Sequence, residues 1–188
     1  MTESTDDLVT RARAGDRSAQ KELVRLWEES VFRIAWRVTG SHSAAEEVRQ
    51  TVFLRMIERP ETLPEPARFS AWLRRCTVNA AITFLRRQRV RAASDLSVNH
   101  SSPSIPPDRQ AAENEEVRRL RNVLDTLQPE ERAILTLRFD EDLSFPQIAE
   151  ILDRPPSTVK SQYARLLNQL HSQLQDSPGS REEIDRHV

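Results

Sequence analysis

The chain has 188 residues, enough for one domain or two small ones, and its three Gly, one Tyr and six Phe stand beside abundant helix formers, which argues against a strand-rich fold. A single cysteine, Cys76, excludes an intramolecular disulfide framework, and no run of 18 apolar residues is present to cross a membrane as a helix. The net charge of −1 conceals an asymmetry: residues 8–91 carry 17 basic against 9 acidic side chains, net +8, while the ends and middle of the chain are acidic.

The start, MTESTDDLVT, is polar and acidic and lacks a basic and apolar leader pattern, so a cytoplasmic protein is expected. Ala19, Leu23, Leu26, Trp27, Val31, Ile34, Ala35 and Val38 recur at three- and four-residue steps and predict an amphipathic helix ended by Gly40. Ser43 with Glu46 has the spacing of a capping box ahead of Val48, Val52, Phe53, Met56 and Ile57. Pro60, Pro64 and Pro66 predict a loop over 59–67. From Arg68 a long helix carries Phe69, Trp72, Leu73, Cys76, Val78, Ala80, Ile82 and Leu85, closing on Arg86, Arg87, Arg89 and Arg91.

Residues 92–112, AASDLSVNHSSPSIPPDRQAA, are rich in Ser and Pro without periodicity and predict a linker. Beyond it, Leu120, Val123, Leu124 and Leu127 mark one helix, and Pro129 opens another carrying Ile134, Leu135 and Leu137. Ser144 with Gln147 forms a further capping box before FPQIAEIL, and the break at Asp153-Arg154-Pro155 precedes Pro156 and STVKSQYARLLNQLHSQL. Ile148, Ala149, Leu152, Val159, Tyr163, Leu166 and Leu167 are spaced to pack these two helices together. The expected fold is all-α: a helical domain over 1–91, a flexible linker over 92–112, a second small domain over 113–175 containing a helix-turn-helix, and a flexible tail over 176–188.

A helix-turn-helix places the first turns of its second helix in the major groove. Those turns hold Thr158, Lys160, Ser161, Gln162 and Arg165, residue types that pair with guanine, adenine or phosphate. The spacing alone also fits a solvated amphipathic helix in a bundle. An enzyme is not expected: His42, His100, His171 and His187 are scattered, and neither HExxH nor a Gly-rich phosphate loop is present, so no catalytic site, cofactor or metal follows. Cys76, on an apolar helix face, reads as an inert core thiol.

The string LQPEERAILTLRFDEDLSFPQIAEILDRPPSTVKSQYARLLNQL resembles region 4 of extracytoplasmic-function sigma factors of the sigma-70 family. AEEVRQTVFLRMI is similar to their region 2.2, and FSAWLRRCTVNAAITFLRR to regions 2.3 to 2.4, in the family's order. The resemblance implies a promoter-specificity subunit that binds core RNA polymerase, at the β′ clamp helices and the β flap, and directs it to promoter DNA. Carried over by position, it implies a −35 surface at Thr158, Lys160, Ser161, Gln162 and Arg165, and polymerase docking through Glu46, Glu47, Gln50 and Phe53. It also implies a −10 surface at Arg68, Trp72, Arg74, Arg75, Arg86, Arg87 and Arg89. Each has a plainer alternative: core packing for Phe53 and Trp72, a solvated face for Glu46 and Glu47, and a helix end favoured by the macrodipole for the arginine run.

The family resemblance further implies an anti-sigma factor as partner, holding the two domains in the absence of polymerase. Gln162, Ala164, Thr83, Arg49 and Thr51 depart from the family's common residues, which bears on promoter sequence and docking detail rather than on class. Two other readings remain open from sequence: a sigma-like module that sequesters an anti-sigma factor without initiating transcription, and an ordinary helix-turn-helix regulator.

Overall fold

The computed structural model describes residues 4–94, 122–124 and 126–175. Most of the expected linker, Leu120 and the expected tail lie outside the described residues. Among those described, every regular element is helical: α1 (Thr5–Arg13), α2 (Arg17–Thr39), α3 (His42–Glu58), α4 (Phe69–Ser94), α5 (Pro129–Phe139), α6 (Phe145–Leu152) and α7 (Pro156–Gln175).

Each start and stop has a local cause. The sequence reading did not single out α1, although Ser4 caps it, Asp6 and Asp7 lie in its first turn, and Leu8, Val9 and Ala12 are buried at helical spacing. Asp16 caps α2, accepting from the backbone N–H of Ser18 at 2.8 Å and of Ala19 at 3.3 Å. Gly40 ends α2 as expected, in the left-handed region at φ 70°. The cap of α3 is Ser41 rather than Ser43, and Glu46 turns along the helix to Arg49 at 2.6 Å instead of reaching back. Between Glu58 and Phe69 the prolines permit only two 3₁₀ turns, Pro60–Thr62 and Pro66–Arg68, with Leu63 buried between them. Helix α4 runs to Ser94, three residues beyond the expected domain edge at Arg91.

Asp16 yields a stability prediction. Its hydrogen bonds from Ser18 and its ion pair with Arg11 at 2.6 Å hold its carboxyl far below the ordinary carboxylate range. A depressed folded-state pKa stabilises fully above the unfolded value of about 3.9 and is lost as pH falls toward the folded one. Asp16→Ala is therefore expected to lower Tm at pH 7, with the difference from the parent protein shrinking in melts below about pH 4. A difference independent of pH would show that the carboxylate charge contributes nothing.

Helix α2 is the hub of the packing, touching α1, α3, α4 and α5, while α5 touches α6 and α7, and α4 reaches α5 and α6. Within α5, Ala133, Ile134, Leu135, Thr136 and Leu137 are consecutive and all buried. A helix covered on one side buries only a stripe. Here α5 is sandwiched, and one apolar cluster runs from Leu8 through Phe69 to Ile148 and Leu166. The two halves expected from sequence are thus packed against each other.

Candidate nucleic-acid interface

The helix-turn-helix is built from α6 and α7. The N–H of Ser144 donates to Oε1 of Gln147 at 2.9 Å, the expected box. Helix α6 then stops at Asp153, which adopts φ 55°, a left-handed conformation that Asp tolerates better than most residues. Pro156 starts α7, needing no N–H there. Val159 and Leu166 are buried, and Tyr163 packs edge-on against Phe145, with ring centroids 5.3 Å apart. Leu167, expected in this packing, is instead 37% exposed.

With that face turned inward, Lys160, Ser161 and Arg165 are exposed together. The Nε–H of Arg165 donates to the carbonyl oxygen of Ser161 at 3.4 Å, which lays the guanidinium along this surface. Thr158 is half-buried at its edge. Gln162 departs from the sequence expectation: it is half-buried, and its Oε1 accepts from Nη1 of Arg154 at 3.0 Å. Its amide therefore braces the turn.

The arginines expected at the −10 element divide between two environments. Arg74, Arg75, Arg86 and Arg89 share one arc of α4, about 120° wide at 100° per residue, and all four meet the second half of the chain. Nε of Arg74 lies 2.7 Å from Oε2 of Glu141, and its guanidinium stands over the Trp27 ring at 5.9 Å. Arg75 pairs with Asp153 at 3.5 Å, Arg86 with Glu130 at 2.6 Å, and Arg89 donates to Oε1 of Gln128 at 3.0 Å. Arg68 and Arg87 are exposed, and Arg86 and Arg89 stay exposed despite their partners. Trp72 is half-buried, its ring stacked on Phe69 at 6.0 Å.

Glu141 was not found from sequence, because its weight comes from tertiary contacts. Its side chain is 3% exposed and holds Arg33 at 2.8 Å as well as Arg74. The same carboxylate drives the Arg33 pKa up, chiefly by that hydrogen bond. Burial alone would raise the Glu130 carboxyl, yet a backbone hydrogen bond and Arg86 bring it below its ordinary range.

On α3, Glu47 and Gln50 are exposed as expected of a docking face, while Glu46 is half-buried beside Arg49. Phe53 is corrected: at 6% exposure it belongs to the core, because its position on α3 faces inward with Val52 and Met56. The apolar residues that do face outward are Leu54 at 54% and Ile57 at 43% exposure. They continue the stripe of Glu47 and Gln50 at helical spacing, whereas Ile57 was expected on the apolar face with Val48 and Val52 and Leu54 was not singled out. Behind this stripe a groove of about 400 Å³ separates α3 from α4, lined in part by Glu47, Arg55, Cys76 and Arg87. Burial pushes the Cys76 thiol up, which favours an unreactive thiol.

Residues 23–91 match sigma-70 region 2 and residues 117–170 match sigma-70 region 4. The chain belongs to the sigma-70 family. Its relatives place it in the extracytoplasmic-function group of RNA polymerase sigma factors. It is 32% identical over 168 residues to the probable RNA polymerase sigma factor RfaY of Xanthomonas campestris pv. campestris, an alignment covering 87% of this chain and 42% of that protein. It is 23% identical to the sigma factor SigW of Bacillus subtilis, covering 89% of this chain and 95% of SigW. In fold it is similar to the sigma factor RpoE of Bartonella quintana, solved with the anti-sigma factor NepR, with a TM-score of 0.67 and 19% identity over 84% of this chain and 97% of RpoE. Sigma-70 region 2 thus spans most of α2 to α4, and region 4 contains α5 and α6 and most of α7. No helix among the described residues is long and apolar enough to cross a membrane.

Proposed function

We propose that this sigma factor acts in the cytoplasm as a non-enzymatic initiation subunit, docking on core RNA polymerase through α3, reading a −35 element with α7 and a −10 element with α4. The observation that carries the reading is the outer face of α7, where Lys160, Ser161 and Arg165 stand exposed side by side on a helix whose other face is buried at Val159 and Leu166. Lys and Arg there meet guanine edges, and Ser161 and Thr158 meet phosphates or bases. The +8 balance over residues 8–91 supports region 2 as the part that holds DNA by charge. The β′ clamp helices are the polymerase element suited to the Glu47–Gln50 stripe, and the β flap takes region 4. An anti-sigma factor, the kind of protein bound to the Bartonella quintana sigma factor, is the further partner.

The test combines purified protein with core polymerase and reads promoter-specific run-off transcription. Binding with initiation supports the reading, and binding without initiation overturns it in favour of a sequestering module. Gln50→Ala/Leu54→Ala is expected to weaken core-polymerase binding about tenfold or more, since truncating a well-placed interface residue costs on the order of 1 kcal/mol. Affinity unchanged in that variant overturns the docking face.

A further inference from the structure

We propose that Arg49 sets how tightly the chain docks on core polymerase, by holding the carboxylate of Glu46 back from the docking face of α3; this rests on the docking reading of α3 given above. At 100° per residue, Glu46 lies about 40° from Gln50 and about 20° from Ile57 around the helix, at the edge of the exposed stripe. Arg49 lies about 100° from Gln50, outside that stripe. Its side of α3 is the one turned to α2, since Ala45, Val52 and Met56 repeat it at helical spacing and are buried. Arg49 thus stands off the docking face and acts on a residue at its rim.

The restraint spans two helices. Nη2 of Arg49 lies 2.6 Å from Oε2 of Glu46, one turn earlier on α3, and Nη1 lies 3.5 Å from Oε2 of Glu28 on α2. Nε is buried and has no hydrogen-bond partner among the described residues, so the guanidinium is packed at its base and drawn by two carboxylates at its tip. Glu46 stands in the favourable order for such a pair, acid ahead of base along the helix. Its side chain keeps 34% of its exposure, so the carboxylate reaches solvent once released. Of Glu46 and Glu47, only Glu47 is left without an ion pair among the described residues. Glu47, Gln50, Leu54 and Ile57 include an acid and no base, which suits a partner surface that is basic and apolar. A freed Glu46 would offer that surface a second acid.

A charge at the rim of an interface acts mainly on the association rate and on its salt dependence. The experiment titrates the full chain against core polymerase at several salt concentrations. Arg49→Gln is expected to tighten binding about threefold at low salt, with a steeper loss of affinity as salt rises and screens the new charge. In a Glu46→Gln background the same substitution is expected to change neither affinity nor salt slope, because no carboxylate is left to release. Arg49→Lys keeps a cation within reach of Glu46 and is expected to retain the parent's slope. Arg55→Gln removes an equal charge from an exposed residue of the groove on the other side of α3, and is expected to leave both readouts unchanged. A purely structural role for Arg49 would instead lower affinity and Tm together. Binding by Arg49→Gln that weakens or stays the same, a gain that persists in the Glu46→Gln background, or an equal gain in Arg55→Gln overturns the proposal. Unchanged affinity in Gln50→Ala/Leu54→Ala overturns the docking reading itself, whereas a loss there without a gain in Arg49→Gln overturns only the role of Arg49.

Discussion

Replacing Phe69 by Ala is expected to cost about 3–5 kcal/mol of folding free energy, the range for deleting a fully buried aromatic ring. Phe69 is 1% exposed and begins α4, where its ring meets Trp27 of α2 edge-on, with centroids 5.9 Å apart, and Trp72 in a stack. It joins the hub helix to the helix that carries the arginines, immediately after a loop too rich in proline to hold α4 by itself. Each kcal/mol lowers Tm by roughly 2–4 °C in a packed unit of this size, so a thermal melt should fall by roughly 6–20 °C. Trp72→Ala, at a half-buried position, is expected to cost less. A loss below about 1 kcal/mol for Phe69→Ala would mean that the site collapses around the missing ring.

The second large effect belongs to α7. Lys160→Ala/Arg165→Ala is expected to reduce transcription from a promoter that depends on its −35 element on the order of 100-fold, each base-edge contact supplying about 1–3 kcal/mol of discrimination. Both side chains are exposed and neither packs the turn, so Tm should stay within about a degree of the parent, as surface substitutions away from caps and cores usually do. Gln162→Ala separates the two roles. Its amide accepts from Arg154, so the expected change lies in stability of the turn rather than in base preference. Equal loss of −35 dependence in Gln162→Ala and in the double variant would place the DNA surface one residue further round the helix.

The helix-turn-helix was legible because its information is local. A capping box at Ser144 and Gln147, Pro156 where no N–H is needed, and apolar residues at helical spacing each act over a few residues. The same holds for Gly40, whose left-handed φ ends α2. Local signals failed where two candidates competed at short range: Ser41 and Ser43 both suit the cap of α3, and Phe53 and Leu54 both suit a contact. A hydrogen bond decided the first, the Ser41 hydroxyl accepting from the Ala44 N–H at 3.4 Å, and burial the second, with Phe53 inside and Leu54 out. Helix α1 was missed because its apolar set, Leu8, Val9 and Ala12, is too short to stand out as a period.

By itself the sequence determined an all-helical chain, the basic character of residues 8–91, the helix-turn-helix, and the membership of both segments in the sigma-70 family. Only the tertiary structure decided which arginines of α4 are free and which are taken. That choice depends on Glu141, Asp153 and Glu130, which lie 44 to 78 positions away from the arginines they meet, and pairing at such separations is set by how α5 and α6 pack against α2 and α4. Periodicity defines the face of a helix but carries no record of what that face will touch. The helix-turn-helix could therefore be read from its own residues, whereas the partners of the α4 arginines appear only once the two regions are brought together.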